Sequence, residues 1–176
     1  MSTARELVVY IACSLDGYIA TKDDDLSFLA RVEAPPEDYG YKEFIDTVDT
    51  VIIGRRTYEK LLTFDGPFWH AARDTYVISR TRTGKDANVT FRSDAIELVH
   101  ELKAKPGKRI FCDGGAEIVH VLQQARLIDR YVVSFIPVLL GDGIRLFRPG
   151  FAEQMLKLVR SQAYPSGLVQ VEYVTA

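Results

Sequence analysis

A chain of 176 residues can form one domain with a full core, whereas two domains would be crowded. An apolar fraction of 47% and a charged fraction of 26% are those of an ordinary globular protein, and a formal net charge of -2 gives no general reason to expect nucleic acid as partner. No window approaches the roughly 18 continuous apolar residues of a membrane span, and Asp16 cuts the N-terminal apolar stretch short, so neither a membrane segment nor a signal peptide is expected.

"ELVVYIAC" (6–13) is a near-continuous apolar run rich in β-branched residues, which suits a strand covered on both faces. The polar loop "SLDGYIATKDDDLSF" follows, with a turn signal at Asp16-Gly17. After Pro35-Pro36, the residues Tyr41, Phe44, Ile45 and Val48 recur at helical spacing and predict a helix buried by one face. "TVII" is the next strand and ends at Gly54, and "RTYEKLL" reads as a helix closed by the loop at Gly66-Pro67. "TYVIS" and "NVTF" are two more strands.

Asp94 and Glu97 have capping-box spacing, and Ala95, Leu98, Val99 and Leu102 line one face of the helix they open. Lys103 and Lys105 sit in its last turn and Pro106-Gly107 stops it. Strand "RIFC" runs into Gly114-Gly115, and a helix with Ile118, Leu122 and Ala125 inward follows. "RYVVSFIPVLL" is a strand with Pro137 near its end, and "LKLVRSQAY" and "LVQVEYVT" form a β-hairpin around Pro165-Ser166-Gly167.

Alternating strands and helices predict an α/β fold over residues 1–176. The expected sheet is central, mixed and mostly parallel, flanked by helices and closed by a C-terminal β-hairpin. In such sheets ligands bind beyond the carboxyl ends of the strands. Cys13 and Cys112 fall in apolar runs and read as buried reduced thiols, which suits a cytoplasmic protein. His70, His100 and His120 show no ligand spacing, so no metal is expected.

Three strand-to-helix junctions share one chemistry. At "VIIGRRTYE", Gly54 admits a ligand to the backbone, Arg55 and Arg56 bring charge, and Thr57 offers a hydroxyl at a helix start. Ser79, Arg80 and Thr81 end another strand with a hydroxyl–guanidinium–hydroxyl cluster. Gly114 and Gly115 expose the N–H groups of the helix that begins near Ala116. Each admits a bland reading as a solvated helix start or a tight turn. Parallel topology brings all three to one edge, where they suit the phosphates of one dinucleotide, although the spacing is not that of the Rossmann glycine fingerprint.

On "SLDGYIA" (14–20), "VDTVIIGRRTYE" (48–59), "YVISRT" (76–81), "IFCDGGAEIV" (110–119) and "IPVLLGDGIRLF" (136–147), the chain resembles the dihydrofolate reductase superfamily. It is most similar to bacterial reductases of the riboflavin-biosynthesis type. The resemblance implies an NADPH-dependent reductase acting on a small heterocyclic (pterin- or pyrimidine-like) or carbonyl substrate. It implies that Ala12 and Ile19 frame the nicotinamide, and that Gly54, Arg55, Arg56 and Thr57 hold phosphates. Ser79, Arg80 and Thr81 would take the adenosine 2′-phosphate. Gly114 and Gly115, joined in the family by a cis peptide, would receive the pyrophosphate, with Ala116, Glu117 and Ile118 following.

In dihydrofolate reductases a carboxylate on the first helix sits below the substrate, which points here to Glu37 or Asp38. Acidic residues also favour helix starts for dipole reasons alone. Asp16 competes as a catalytic candidate, and an Asp-Gly turn explains it equally. Ser134 and Phe44 match substrate-pocket positions. Dihydrofolate reductase proper is one alternative, since Arg73 precedes Ser79 by six residues as does the arginine that grips the folate tail, although "DDLSFL" departs from that enzyme's pattern. An NADPH-binding protein without turnover is the other. Family members of this kind commonly form homodimers.

Overall fold

In a strand, neighbouring residues point to opposite faces, and here both faces are apolar. In the computed structural model, which describes residues 5–176, Leu7, Val9, Ile52, Ile110, Cys112, Tyr131 and Val133 fall into one core, while Val8, Val51, Ile53, Phe111 and Val132 fall into another. Residues 1–4 of the single domain expected over 1–176 lie outside the described residues.

The strands are β1 (Leu7–Ser14), β2 (Tyr18–Ala20), β3 (Val48–Gly54), β4 (Asp74–Ile78), β5 (Gly84–Lys85), β6 (Thr90–Arg92), β7 (Arg109–Cys112), β8 (Arg130–Ile136), β9 (Ile144–Arg145), β10 (Leu156–Ala163) and β11 (Val169–Thr175). The helices are α1 (Tyr41–Asp46), α2 (Arg55–Leu61), α3 (Ala95–Lys103) and α4 (Ala116–Gln124), with a 3-10 turn at Ser27–Val32. Nine strands make one sheet in the order β10-β11-β8-β1-β7-β3-β4-β6-β5. Its centre, β8-β1-β7-β3-β4-β6, is parallel, and β11, β10 and β5 are antiparallel additions. The first core takes α3 and α4 onto one face of the sheet, and the second takes Phe44 of α1 and Tyr58 of α2 onto the other.

The expected elements appear near their expected places. Ala95, Leu98, Val99 and Leu102 are the buried face of α3, and the Asp94 carboxylate accepts from the N–H groups of Ile96 and Glu97. Cys13 and Cys112 are buried and free, and burial pushes their thiols up to about 11 and about 12.

Three expectations are corrected. The helix after the prolines is shorter than its periodicity suggested. It ends at Asp46, and Val48 opens β3 instead of continuing the helical face. Thr47 closes it by returning both its N–H (2.9 Å) and its Oγ1 (2.6 Å) to the Phe44 carbonyl, and burial in the sheet then claims the β-branched Val48. Glu37 and Asp38 lie before this helix, not in its first turn, because Gly40 at φ +81 is the residue from which it starts. The loop after β1 is also not free coil.

β2 pairs antiparallel with β9, and the Leu146 N–H bonds to the Gly17 carbonyl at 2.9 Å. The approach is close enough that a Cβ on Gly143 would lie 2.2 Å from the Ala20 carbonyl oxygen, so only glycine fits there. The motifs "SLDGYIA" and "IPVLLGDGIRLF" are thus two halves of one clasp.

Candidate active site

β7, β3 and β4 are adjacent and parallel, so their carboxyl ends share one edge. There the Gly54 N–H donates to the Gly114 carbonyl at 2.8 Å, and the Gly114–Gly115 peptide is cis. A Cβ on Gly54 would stand 3.3 Å from Ile118 Cγ1, and one on Gly115 would stand 3.4 Å from Thr57 Oγ1. The two helix starts therefore meet closely, with the Ile118 and Thr57 side chains filling the space that a Cβ on either glycine would need. The N–H groups of Ile118 and Val119 return to the Gly115 carbonyl, and those of Ala116 and Glu117 have no acceptor among the described residues.

The third junction reaches the same place. Arg80 pairs with Glu117 across 3.1 Å, with both side chains largely exposed. Ser79 is buried, and its Oγ accepts from the N–H groups of Thr81 (3.3 Å) and Arg82 (3.0 Å), folding the strand end into a turn that presents Arg80. Arg55 pairs with Glu59 at 2.8 Å, and Arg56 forms an ion pair with Asp24 from the loop after β2. Both pairs are exposed and weakly held, so either guanidinium can exchange its carboxylate for a phosphate. What the three junctions offer an anion is therefore backbone donors at glycine positions with cations beside them.

A cavity of about 350 Å³ opens at the carboxyl ends of β1 and β8. Tyr10, Ala12, Ser134, Ile136 and Leu168 form its inner wall, Leu29 and Val32 of the 3-10 turn one side, and Glu33, Ala34, Pro35, Glu37, Asp38 and Tyr39 its mouth. Behind the wall lies one hydrogen-bonded network. Gln170 Nε2 stands 3.1 Å from Ser134 Oγ, Tyr10 Oη and the Tyr39 carbonyl, and Tyr10 donates to that carbonyl at 2.7 Å. Burial pushes the Tyr10 phenol up to about 12, so it stays protonated at neutral pH. A second hollow of about 340 Å³, between Arg73–Tyr76 and Lys85–Thr90, lies at the opposite ends of the strands from the glycines.

Ala12 lies in the cavity wall; Ile19 of β2 and Ile11 of β1 both pack on the first core, and Ile11 Cδ1 stands 3.7 Å from the Cβ position of Gly114. The glycine junction and the cavity thus flank β1 from its two faces at the same carboxyl edge of the sheet. Ser134 is 5% exposed and lines the cavity. Phe44 does not line it; the ring stacks on Tyr10 at 4.5 Å and meets Phe111 edge-on, as a core residue behind the wall.

Glu37 and Asp38 are both at the mouth. Asp38 spends its two oxygens on the N–H groups of Gly40 and Lys42, each at 3.0 Å, and so caps α1 from outside. Glu37 gives one oxygen to the Tyr39 N–H at 2.7 Å and keeps the other free. Asp16 stands apart from them. It accepts from Ser14 Oγ (2.6 Å), the Gly141 N–H (2.7 Å) and the Leu140 N–H (3.1 Å), and the Ser14 hydroxyl first, then the two amides, hold it down at about 2. It is a clasp between the two loops and carries no proton at neutral pH.

The sequence alone did not mark Tyr10 and Glu33, which line the cavity, or Gln170, which bonds to its wall from behind; all three reach the site only through folding. Nor did it mark a pair beside the glycines. His70 is fully buried, its Nε2 is 2.8 Å from Asp113 Oδ2, and its Nδ1 has no partner. Position next to Gly114 was a usable signal for Asp113; nothing in the sequence marked His70.

Comparison with known proteins places this geometry in context. The family model of the RibD C-terminal domain matches residues 5–170. The protein YwjB of Bacillus subtilis (strain 168) is 37% identical over 174 residues, covering 98% of this chain and 99% of that protein. A putative riboflavin biosynthesis protein from Shewanella sp. PV-4 superposes with a TM-score of 0.88 at 29% identity, with 99% of each chain covered. Dihydrofolate reductase from Enterococcus faecalis, solved with NADP(H), superposes with a TM-score of 0.67 at 16% identity over 97% of this chain and 96% of that one. The last likeness shows the fold, which is dihydrofolate reductase-like.

Proposed function

The chain belongs to the RibD C-terminal domain family, and from that membership we propose that it is an NADPH-dependent reductase of a small heterocyclic or carbonyl substrate. The observation that carries the proposal is the convergence of Gly54–Thr57, Ser79–Thr81 and Gly114–Gly115 beside a cavity whose wall includes Ala12. Bound NADPH would supply hydride to that cavity. The chain's part is to hold the phosphates on the Ala116 and Glu117 N–H groups and Thr57, and to place Arg80 at the adenosine 2′-phosphate. Glu37, with an uncommitted oxygen at the mouth, is the carboxylate assigned to proton handling; Asp38 and Asp16 are committed to backbone.

Folate itself fits this site poorly. The Arg73 guanidinium, the counterpart of the arginine that grips the folate tail, bonds to the Ile45 carbonyl through Nη2 at 2.9 Å and closes the end of α1. The assembly assigned is a homodimer, because β10 is exposed over all eight residues at the sheet edge and carries Leu156, Leu158 and Val159. The reaction's place is the cytoplasm, as buried reduced thiols suggest.

Calorimetry and thermal melting with each pyridine coenzyme test the reading. NADPH at about 100 times its Kd should add about 2.7 kcal/mol of stability. Neither heat nor a thermal upshift with NADPH or NADH overturns the proposal. Firm binding with no loss of nicotinamide absorbance across dihydrofolate, ribosylaminopyrimidine and simple carbonyls would instead mark a binding protein without turnover.

A further inference from the structure

The polar groups of the cavity are distributed by kind. No lysine, arginine or histidine lines it, and its mouth holds three carboxylates, Glu33, Glu37 and Asp38. Asp38 is satisfied by backbone, but Glu37 keeps one oxygen free and the Glu33 carboxylate has no hydrogen-bond partner among the described residues. The nearest guanidinium in the network, Arg160, stands behind Gln170, with Nη2 at 3.2 Å from its Oε1, and also faces Glu172.

At the inner end, Ser134 Oγ accepts from Gln170 Nε2 at 3.1 Å, while its own proton has no acceptor among the described residues. Tyr10 has already spent its proton on the Tyr39 carbonyl. A buried hydroxyl left with a free proton is a donor awaiting an acceptor.

We infer that the substrate carries no phosphate or carboxylate, directs a carbonyl or ring-nitrogen acceptor at Ser134, and presents a cationic or N–H-bearing group to Glu33 and Glu37. The inference rests on the proposed function, since it reads the cavity as the substrate side of the reductase. A phosphorylated ribosylaminopyrimidine, the substrate that the riboflavin-type resemblance suggests, would bring a dianion against two free carboxylates with no cation in the lining to offset it. A volume of about 350 Å³ sits at the low end of small-molecule sites and suits one or two rings. The apolar walls of Leu29, Val32, Ile136 and Leu168 complement such ring faces.

The test titrates the whole chain with benzamidine, benzoate and phenyl phosphate by calorimetry, with and without NADPH. These probes share one ring and differ in charge. Benzamidine is expected to bind about tenfold or more tightly than either anion. That preference should shrink with added sodium chloride and fall to near parity in the Glu33→Gln/Glu37→Gln double variant. Both residues are exposed, and circular dichroism checks that the variant stays folded. Equal or tighter binding of an anion, no benzamidine binding at millimolar concentration, or a preference the double variant leaves unchanged each overturns the inference. Because the probes titrate without coenzyme, failure here leaves the NADPH titration standing, and the reverse also holds.

Discussion

Asp16 and Arg80 are both charged residues at loop ends, yet they are held in opposite ways. Three donors converge on Asp16 and lower it from its ordinary value near 3.8 to about 2, so in the folded state it binds its proton more weakly than in the unfolded chain. Its stabilising contribution is therefore present above about pH 4 and is lost as pH falls toward 2. Asp16→Asn is expected to lower Tm at pH 7, with the gap from wild type closing between pH 4 and pH 2 in a melting series; a gap independent of pH would contradict the clasp. Arg80 has a single exposed partner, Glu117, and is available to a ligand. Arg80→Ala should weaken NADPH by about 10–100-fold, the range of a charge-assisted contact, and NADH far less. Equal losses for both coenzymes, measured by fluorescence titration, would remove the 2′-phosphate role.

Among the elements, α3 shows a local rule at work, and the glycine junction shows a rule that needs neighbours. Asp94 caps α3 through two N–H groups, which is legible from Asp94 and Glu97 alone because the cap is made within one turn. Asp94→Ala should cost about 1 kcal/mol, or roughly 3 °C in Tm, with NADPH affinity unchanged by the same melting and titration assays. At Gly115 the relevant contact is with Thr57 on another helix, 3.4 Å from where a Cβ would be. Gly115→Val fills the gap between the two helix starts; it should abolish NADPH binding while the circular dichroism spectrum is retained, and retained affinity would mean the junction serves packing only. Val48 shows where periodicity misleads. Its spacing fits the helix, but Thr47 ends α1 and sheet burial outweighs a fourth apolar position on a two-turn helix. The strands β2, β9 and β5 escaped notice because runs of two or three residues bounded by polar loops carry little readable alternation, although "NVTF" did mark β6.

For the whole molecule, the sheet ends in an asymmetry that bears on assembly. One edge is the short β5, while the other is the eight-residue β10, exposed throughout. Sedimentation velocity is expected to report a dimer, and Leu158→Lys, which places charge on that edge, should shift it to monomer; a wild-type monomer at all accessible concentrations would leave β10 as a plain solvent edge. Most of the architecture is legible in the sequence. Continuous apolar runs declare strands covered on both faces, alternation with helices declares parallel order, and glycine and arginine at strand ends mark where a phosphate can approach. Those signals are local, because burial pattern, capping and backbone freedom act over a few residues. The tertiary structure alone decided which of the marked groups remain free for a ligand. Asp16 and Asp38 are spent on backbone amides, Phe44 lies behind the cavity wall, and Glu33, Tyr10 and Gln170 join the site from distant segments. A hydrogen-bond donor or carboxylate is used up by whatever the fold brings within 3 Å of it, and that distance is set by packing between segments rather than by spacing along the chain.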